Sequence, residues 1–201
     1  MCIRDRDHVP HVEIETKPID FYKILSEEPE LLDEYDLLIC ATGDRNLNLR
    51  LNEIHLRQSR TTGALYTWTE LRGYASHAIL VIPGKGGCLN CTIDDKFQFR
   101  HAAILLSQED SLSQEAGCGS TFLPYGAIEA EFAAATTSRL ALSYLSGETK
   151  RSSWWVYLGD LEDARYRGIP VSKEYEFAGS NRLIKNSLAP QRSCPLCNFR
   201  E

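Results

Sequence analysis

The sequence predicts an α/β fold, in which helices pack against the strands of one sheet. Three segments carry the prediction. The short apolar run at 35–42 is typical of a fully buried parallel strand. Leu47, Leu51 and Ile54 lie on one face of an amphipathic helix at 46–57. An alanine-rich stretch at 125–146, closed by Gly147, predicts a long helix.

Weaker local signals predict the other elements in chain order. Residues 11–16 alternate apolar and polar side chains, as a half-buried strand does. Pro18 and Asp20 open a helical stretch that Pro29 interrupts. A glycine-rich, polar region begins after Pro83. Further strands are predicted at 63–70, 77–82 and 153–158, and a hairpin at 171–185.

Composition indicates a globular protein of one domain. The chain has 201 residues, of which 43% are hydrophobic and 25% charged, and its net charge is −6. This acidic balance offers no basic face for phosphate backbones, so we expect no nucleic-acid partner. Residues 1–8 are polar and charged and are predicted to be a disordered lead, followed by one domain at 9–201.

No targeting or membrane signal is recognisable in the sequence. No apolar run approaches the roughly 20 residues of a membrane helix, and the first residues lack the hydrophobic stretch of a secretory signal. We therefore expect a cytoplasmic protein without a membrane partner. In that reducing compartment, cysteines serve more often as metal ligands or reactive thiols than in disulfides.

Two Cys-x-x-Cys pairs predict a structural zinc site. Cys88 and Cys91 form one pair, and Cys194 and Cys197 form the other near the end of the chain. Each pair can fold into a turn that points two sulfurs at one place, and two such turns supply the four thiolates that zinc prefers. A redox pair or two unrelated pairs are the alternatives, but neither pair precedes a predicted helix, as a redox pair does.

Two further residues are candidates for chemistry. Cys118 stands alone in a glycine-rich segment, where a thiol can act as a nucleophile, although Glu115 nearby would raise its pKa. Asp44 follows the strand at 35–42 and precedes a helix. It can bind Mg²⁺ beside a nucleotide phosphate, or it can simply cap the helix. His77 is expected to be a hydrogen-bonded structural residue, and Cys40 an inert core thiol.

Together these segments resemble the ThiF/MoeB family of E1-like adenylyltransferases, which activate ubiquitin-like proteins. The resemblance rests on 35–44 with the helix that follows, on both cysteine pairs, and on 117–119 before the long helix. Residues 68–70 and 76–78 add weaker matches. The match runs from about His11 to Cys197 and implies a Rossmann-like ThiF fold with a crossover loop.

The resemblance also implies a reaction. Such enzymes use ATP and Mg²⁺ to adenylate the C-terminal glycine of a ubiquitin-like or sulfur-carrier protein, and many then transfer the acyl group to a cysteine as a thioester. Asp44 matches the aspartate that supports Mg²⁺ and adenylation, and Cys118 lies where the thioester cysteine is expected. An E2-like protein or domain and a second copy of the chain are further expected partners.

One departure from the family pattern concerns the nucleotide. The Gly-x-Gly-x-x-Gly turn that opens the ATP-binding half is not in the sequence. We therefore expect the C-terminal half of a larger enzyme, inactive alone and with an unpaired sheet edge. The alternatives are a sulfur-carrier adenylyltransferase of the thiamine or molybdopterin type, and a non-catalytic, zinc-stapled module that binds a ubiquitin-like partner.

Overall fold

The computed structural model describes residues 11–15, 17–57, 61–105, 113–114, 121–122 and 125–197. Its helices are α1 (Phe21–Glu27), α2 (Arg45–Arg57), α3 (Ala127–Leu145) and α4 (Leu161–Tyr166). Its strands are β1 (Leu37–Cys40), β2 (Gly63–Thr69), β3 (Ala75–Val81), β4 (Ser113–Gln114), β5 (Thr121–Phe122), β6 (Ser153–Leu158) and β7 (Arg182–Ser187).

Five strands form one mixed sheet in the order β1-β2-β3-β6-β7. The β1–β2 pair is parallel, because α2 carries the chain back between the two strands, and the other pairs are antiparallel. The two short strands β4 and β5 pair with each other. The α/β class is confirmed, whereas the Rossmann-like description of the sheet stays a prediction.

The strand predicted at 35–42 is parallel but not fully buried. Within the described residues, β1 lies at the edge of the sheet and pairs with β2 alone. The Ile39 side chain is 52% exposed. An apolar run indicates that the faces of a strand are suited to burial, but it does not specify whether other elements of the structure bury them. Within the described residues β1 and β7 are the two edges of this open sheet, and the expectation that an edge marks a missing half stays a prediction.

Two predicted elements are wrong. Residues 11–15 form no strand, because local alternation does not supply the neighbouring strand that a sheet requires. The segment 171–185 is not a hairpin: Lys173–Tyr175 is a short 3₁₀ turn, and β7 begins at Arg182 and pairs with β6. A strand pattern identifies the strand without identifying its partner.

The long helix and its ending agree with the prediction. Helix α3 covers Ala127–Leu145, and Gly147 follows in the left-handed conformation, with φ of +77°. Leu140 and Ala141 of α3 pack on one face of the sheet. On the opposite face lie α2, α4 and the irregular segments around the cysteine pairs. The two cysteine pairs belong to this second face, and Asp44 lies at the β1 edge beside it.

Candidate functional site

Both cysteine pairs lie in tight turns that the surrounding backbone holds together. Cys88 precedes a 3₁₀ turn at Leu89–Thr92, where the Cys91 amide donates to the Cys88 carbonyl at 2.9 Å. The Gly87 amide donates to the carbonyl of Leu188 at 2.7 Å. A Cβ at Gly87 would lie 2.4 Å from the Ala189 carbonyl oxygen, so glycine is required for this close approach. The second pair is thereby brought beside the first.

The sulfur atoms of the four cysteines form one close cluster. The Sγ atoms of Cys88 and Cys91 are 4.0 Å apart, those of Cys88 and Cys194 3.6 Å, and those of Cys91 and Cys197 3.2 Å. All four lie within 4.8 Å of one another. A tetrahedral site with zinc–sulfur bonds of about 2.3 Å has sulfur–sulfur edges of about 3.8 Å. The cluster, which we call the clasp, can therefore hold a metal ion of that size.

The surroundings of the clasp favour a thiolate at one ligand. Cys88, Cys91 and Cys194 are buried. Hydrogen bonds from Cys197 and Cys88 lower the pKa of Cys91, and the Gln191 amide, 3.4 Å from its sulfur, contributes to the same shift, whereas hydrogen bonds from Cys197 and Cys91 together with burial raise the pKa of Cys88. A metal ion binds the deprotonated sulfur, so this charge distribution suits a cation at the centre of the clasp.

Helix α2 connects the clasp with the end of β1. Asn52, fully buried on α2, accepts a hydrogen bond from the Leu89 amide at 3.2 Å and donates to Asn90 Oδ1 at 2.9 Å. The same helix begins at Arg45, directly after Asp44. One rigid helix thus fixes the first cysteine turn and the candidate aspartate relative to each other.

Asp44 caps α2, as one of its two interpretations predicted. Its Oδ1 accepts hydrogen bonds from the amides of Asn46 at 2.8 Å and Leu47 at 3.1 Å. Thr42 supports the turn by accepting from the Asp44 amide at 3.2 Å. The Asp44 side chain is exposed at the carboxyl end of the edge strand β1. In α/β sheets this end of the strands is where ligands bind, so capping does not remove the carboxylate from a ligand's reach.

A buried carboxylate that sequence reasoning did not assign organises the same face. Glu70 Oε1 lies 2.6 Å from His77 Nε2 and accepts from the Ala103 amide at 2.8 Å, while Oε2 accepts from the Ile104 amide at 3.2 Å. The indole of Trp154, which can only donate, lies 3.3 Å from His77 Nδ1. His77 Nε2 therefore carries the hydrogen donated to Glu70.

This network fixes an irregular segment onto the sheet. His77 is fully buried, stacks on Trp68 with ring centroids 5.1 Å apart, and meets the ring of Phe99 edge-on at 4.8 Å. The expectation of a structural, hydrogen-bonded His77 is confirmed. The sequence contains no local sign of the Glu70 contact, because its two amide donors lie more than thirty residues downstream.

Two further cysteines were considered in the sequence analysis, and the structure describes one of them, Cys40. Cys40 is buried, and desolvation raises its pKa to about 12, which agrees with an inert core thiol. Cys118, the candidate nucleophile, lies outside the described residues. Along the described ranges, no helix is both long enough and apolar enough to cross a membrane.

Comparison with known proteins adds sequence and fold relationships. No protein-family model matches the chain. The chain is 26% identical over 203 residues to "ATP-dependent ubiquitin transferase-like protein Cap2" of Escherichia coli, an alignment that covers 99% of the chain and 30% of that protein. One similar solved structure is E. coli MccB with succinimide, with a TM-score of 0.55 and 12% identity, in a match that covers 98% of this chain and 49% of MccB. Another is E. coli MccB with ATP, with a TM-score of 0.52 and 13% identity, in a match that covers 92% of this chain and 44% of MccB.

These relationships agree with the resemblance found in the sequence at a coarse level. The chain spans 30% of the curated relative and about half of MccB. At 12–13% identity, the MccB structures establish a shared fold and nothing more specific. The chain therefore shares the fold of about half of MccB and is similar in sequence to part of a protein named as an ATP-dependent ubiquitin transferase-like protein.

Proposed function

We propose that this chain is the C-terminal half of an E1-like enzyme that adenylates the C-terminal glycine of a ubiquitin-like protein. In this reaction the glycine carboxylate attacks the α-phosphate of ATP, forming an acyl-adenylate and releasing pyrophosphate. The Cys118 thiolate then attacks the acyl carbon, and AMP leaves as the thioester forms. The sequence similarity to the Cap2 protein and the fold shared with MccB, which has been crystallised with ATP, support the proposal.

The observation that carries this proposal is the position of Asp44. An exposed carboxylate at the carboxyl end of a strand, beside a helix N-terminus, is suited to Mg²⁺ and the phosphates it accompanies. Mg²⁺ would neutralise phosphate charge during adenylation. The role of Asp44 is to hold that cation while its Oδ1 keeps the first turn of α2 in place.

The open edge of β1 supports a second part of the proposal, an ATP-binding segment that pairs with this strand. Tyr35 and Ile39 are large apolar side chains exposed at the edge. Beside them lies a groove of about 580 Å³ between β1 and α1, with Leu38 and Phe21 in its lining. A neighbouring strand would cover these side chains and satisfy the backbone groups on the open side of β1.

In the complete enzyme the clasp would hold structural zinc. Four sulfurs leave no coordination position for a substrate, so the metal would act on the fold and not on the reaction. Its effect would be to fix the tail at 194–197 against the turn that α2 supports. Asp44 would then support the adenylation step, and Cys118 would form the thioester.

Replacing Asp44 by asparagine tests the magnesium role without removing the cap, since asparagine caps helices as well as aspartate. We expect D44N to abolish ATP–pyrophosphate exchange in the full-length enzyme while leaving its thermal stability within about 0.5 kcal/mol. Asp160 provides the matched control, because it caps α4 in the same way: its Oδ1 accepts hydrogen bonds from the amides of Glu162 and Asp163. Unchanged exchange in D44N, or an equal loss in D160N, would refute the magnesium role.

The thioester step has a separate test. C118A should still catalyse ATP–pyrophosphate exchange but should lose the conjugate with the ubiquitin-like protein that thiols cleave. C118S should give a conjugate that resists thiols, because an oxyester replaces the thioester. A thiol-cleavable conjugate that persists in C118A would assign the nucleophile to another cysteine.

A further inference from the structure

The segment that follows the first cysteine pair folds into a short hairpin at 93–99, which we call the clasp hairpin. Ile93 and Phe99 close it with an antiparallel bridge. At its turn, Asp94 Oδ1 accepts a hydrogen bond from the Gln98 amide at 2.8 Å, and the Asp94 amide donates to the Gln98 carbonyl at 2.8 Å. The turn of the clasp hairpin is therefore held in one conformation by its own hydrogen bonds.

Phe97 lies at this turn and is unfavourable there for two separate reasons. Its backbone is in the left-handed region, with φ of +59°, which glycine or asparagine adopts far more readily than a bulky residue. Its side chain is 71% exposed, so burial does not compensate for the strain. Residues held in such conformations cluster at sites that bind ligands. A contact with a molecule outside this chain would explain a phenylalanine at this position.

The clasp hairpin is fixed to the sheet at its base and to α2 at its turn. At the base, the ring of Phe99 meets the ring of Trp68 edge-on, with centroids 4.8 Å apart. At the turn, Arg45 Nη1 donates a hydrogen bond to the Phe97 carbonyl at 2.7 Å. Arg45 is the first residue of α2 and follows Asp44 directly. The length of one arginine side chain thus separates the Phe97 backbone from the proposed magnesium site.

The position of the clasp hairpin on the sheet indicates which substrate lies beside Phe97. Phe99 packs on Trp68 of β2 and on His77 of β3. The hairpin therefore reaches Asp44 from the β2–β3 side of the sheet. The ATP-binding segment is proposed to pair with β1, on the opposite side of Asp44. This leaves the side of Phe97 to the second substrate, whose glycine carboxylate attacks the nucleotide.

We propose that Phe97 is a specificity-determining residue that packs against the C-terminal tail of the protein substrate, beside the residue before the reacting glycine. The proposal rests on the adenylating function proposed above, since that function defines the tail. An aromatic ring on a rigid turn leaves space for a small residue at this place and excludes a large one. Phe97 therefore selects the tail and has no part in binding ATP.

Kinetics with two synthetic peptides test the selection by Phe97. The probes end in Ala-Gly and Trp-Gly and replace the protein substrate in ATP–pyrophosphate exchange by the full-length enzyme. F97G should raise the KM of the Ala-Gly peptide at least about tenfold, leave the KM of ATP unchanged and remove the preference for Ala-Gly over Trp-Gly. F97Y, which keeps the ring, should stay close to the wild type. An unchanged peptide KM in F97G, or an equal rise in the KM of ATP, would overturn the proposal.

Phe177 and thermal stability provide the controls. Phe177 is 95% exposed and lies in the segment between α4 and β7, so F177G should leave both KM values unchanged. F97G should melt at the same temperature as the wild type or higher, because glycine adopts the left-handed region without strain. A fall in the melting temperature of F97G that accompanies the kinetic loss would overturn the proposal in favour of a structural role.

Photo-crosslinking tests the contact without catalysis. With p-benzoylphenylalanine in place of Phe97, irradiation of the full-length enzyme with the Ala-Gly peptide should attach the peptide through its last residues, as read by mass spectrometry. The same group in place of Phe177 should attach none. A crosslink at position 97 without any exchange activity would support the contact and contradict the adenylating function alone. Absence of the crosslink would overturn the contact, whatever the exchange activity.

Discussion

The two faces of the sheet differ in the elements that cover them and in how those elements are held. On one face, α3 covers a small apolar cluster made of regular elements, whose buried members are Leu65, Ala78, Leu80, Leu140, Ala141 and Trp155. The other face carries the larger apolar cluster, packed by α2, α4 and irregular segments, and those irregular segments are held by specific contacts, namely the clasp and the Glu70 carboxylate. Removing metal or a single charge should therefore affect the second face far more than the first.

Metal removal should give the largest difference in amide hydrogen exchange between the two faces of the sheet. We expect purified protein to contain about one zinc per chain, whose binding free energy is about 10–16 kcal/mol in comparable sites. A strong chelator should release the tail and increase amide hydrogen exchange at 86–92 and 188–197. Exchange in α3 should change much less. Equal loss of protection on both faces would show one cooperative unit, and protein isolated without metal would contradict the zinc assignment.

Truncating Leu140 should produce the largest effect on the α3 face. Leu140 is fully buried against the sheet, so L140A should lower the free energy of unfolding by about 2–5 kcal/mol, measured by urea denaturation. Leu142 on the same helix is exposed and provides the matched control. L142A should change the free energy of unfolding by less than about 0.5 kcal/mol. Zinc content should stay unchanged in both variants.

Neutralising Glu70 should have a smaller but more localised effect. In E70Q the amide group meets donors at His77, Ala103 and Ile104, and at least one polar group is left without a partner. The expected loss is about 1–3 kcal/mol, with faster amide exchange at 103–104. Glu174 forms the comparable but exposed contact with His101 at 3.0 Å. E174Q should therefore be nearly neutral, and an equal cost for both variants would refute the role of burial.

The smallest expected effect concerns stability at alkaline pH. Burial, reinforced by the hydrogen bond that Tyr74 donates to Asp163 at 2.8 Å, raises the pKa of Tyr74 to about 12. The folded chain then retains a proton that the unfolded chain loses near its ordinary pKa of 10. Stability from this group is complete below pH 10 and declines as the pH rises toward 12. Y74F should flatten this decline in urea melts, and an unchanged pH profile would contradict it.

The sequence predicts the regular elements better than the way they assemble. The α3 helix and β6 follow from local patterns, since propensity and periodicity act over neighbouring residues. The pairing of β7 with β6 and the edge position of β1 depend on distant segments that no local pattern specifies. This explains why the hairpin at 171–185 was wrongly predicted.

The same distinction applies to the candidate site. The repeated cysteine spacing indicates a long-range contact because metal geometry dictates it, and the four sulfurs do converge. The Glu70 contacts have no comparable sequence signature, since backbone amides that bind a carboxylate belong to residues of any type. Asp44 is an intermediate case. Its capping role can be predicted from the neighbouring residues alone, whereas the presence of a ligand beside it cannot.

The clasp has a consequence for how the protein matures. Cys88 and Cys194 are separated by 106 positions, so a ribosome adding about 5–20 residues per second exposes the first pair of thiols several seconds before the second pair emerges. During that interval the nascent chain presents only half of a coordination sphere, open to oxidation or to a competing ion. A metal ion that uses all four sulfurs of the clasp can therefore be fully coordinated only after Cys197 has been translated.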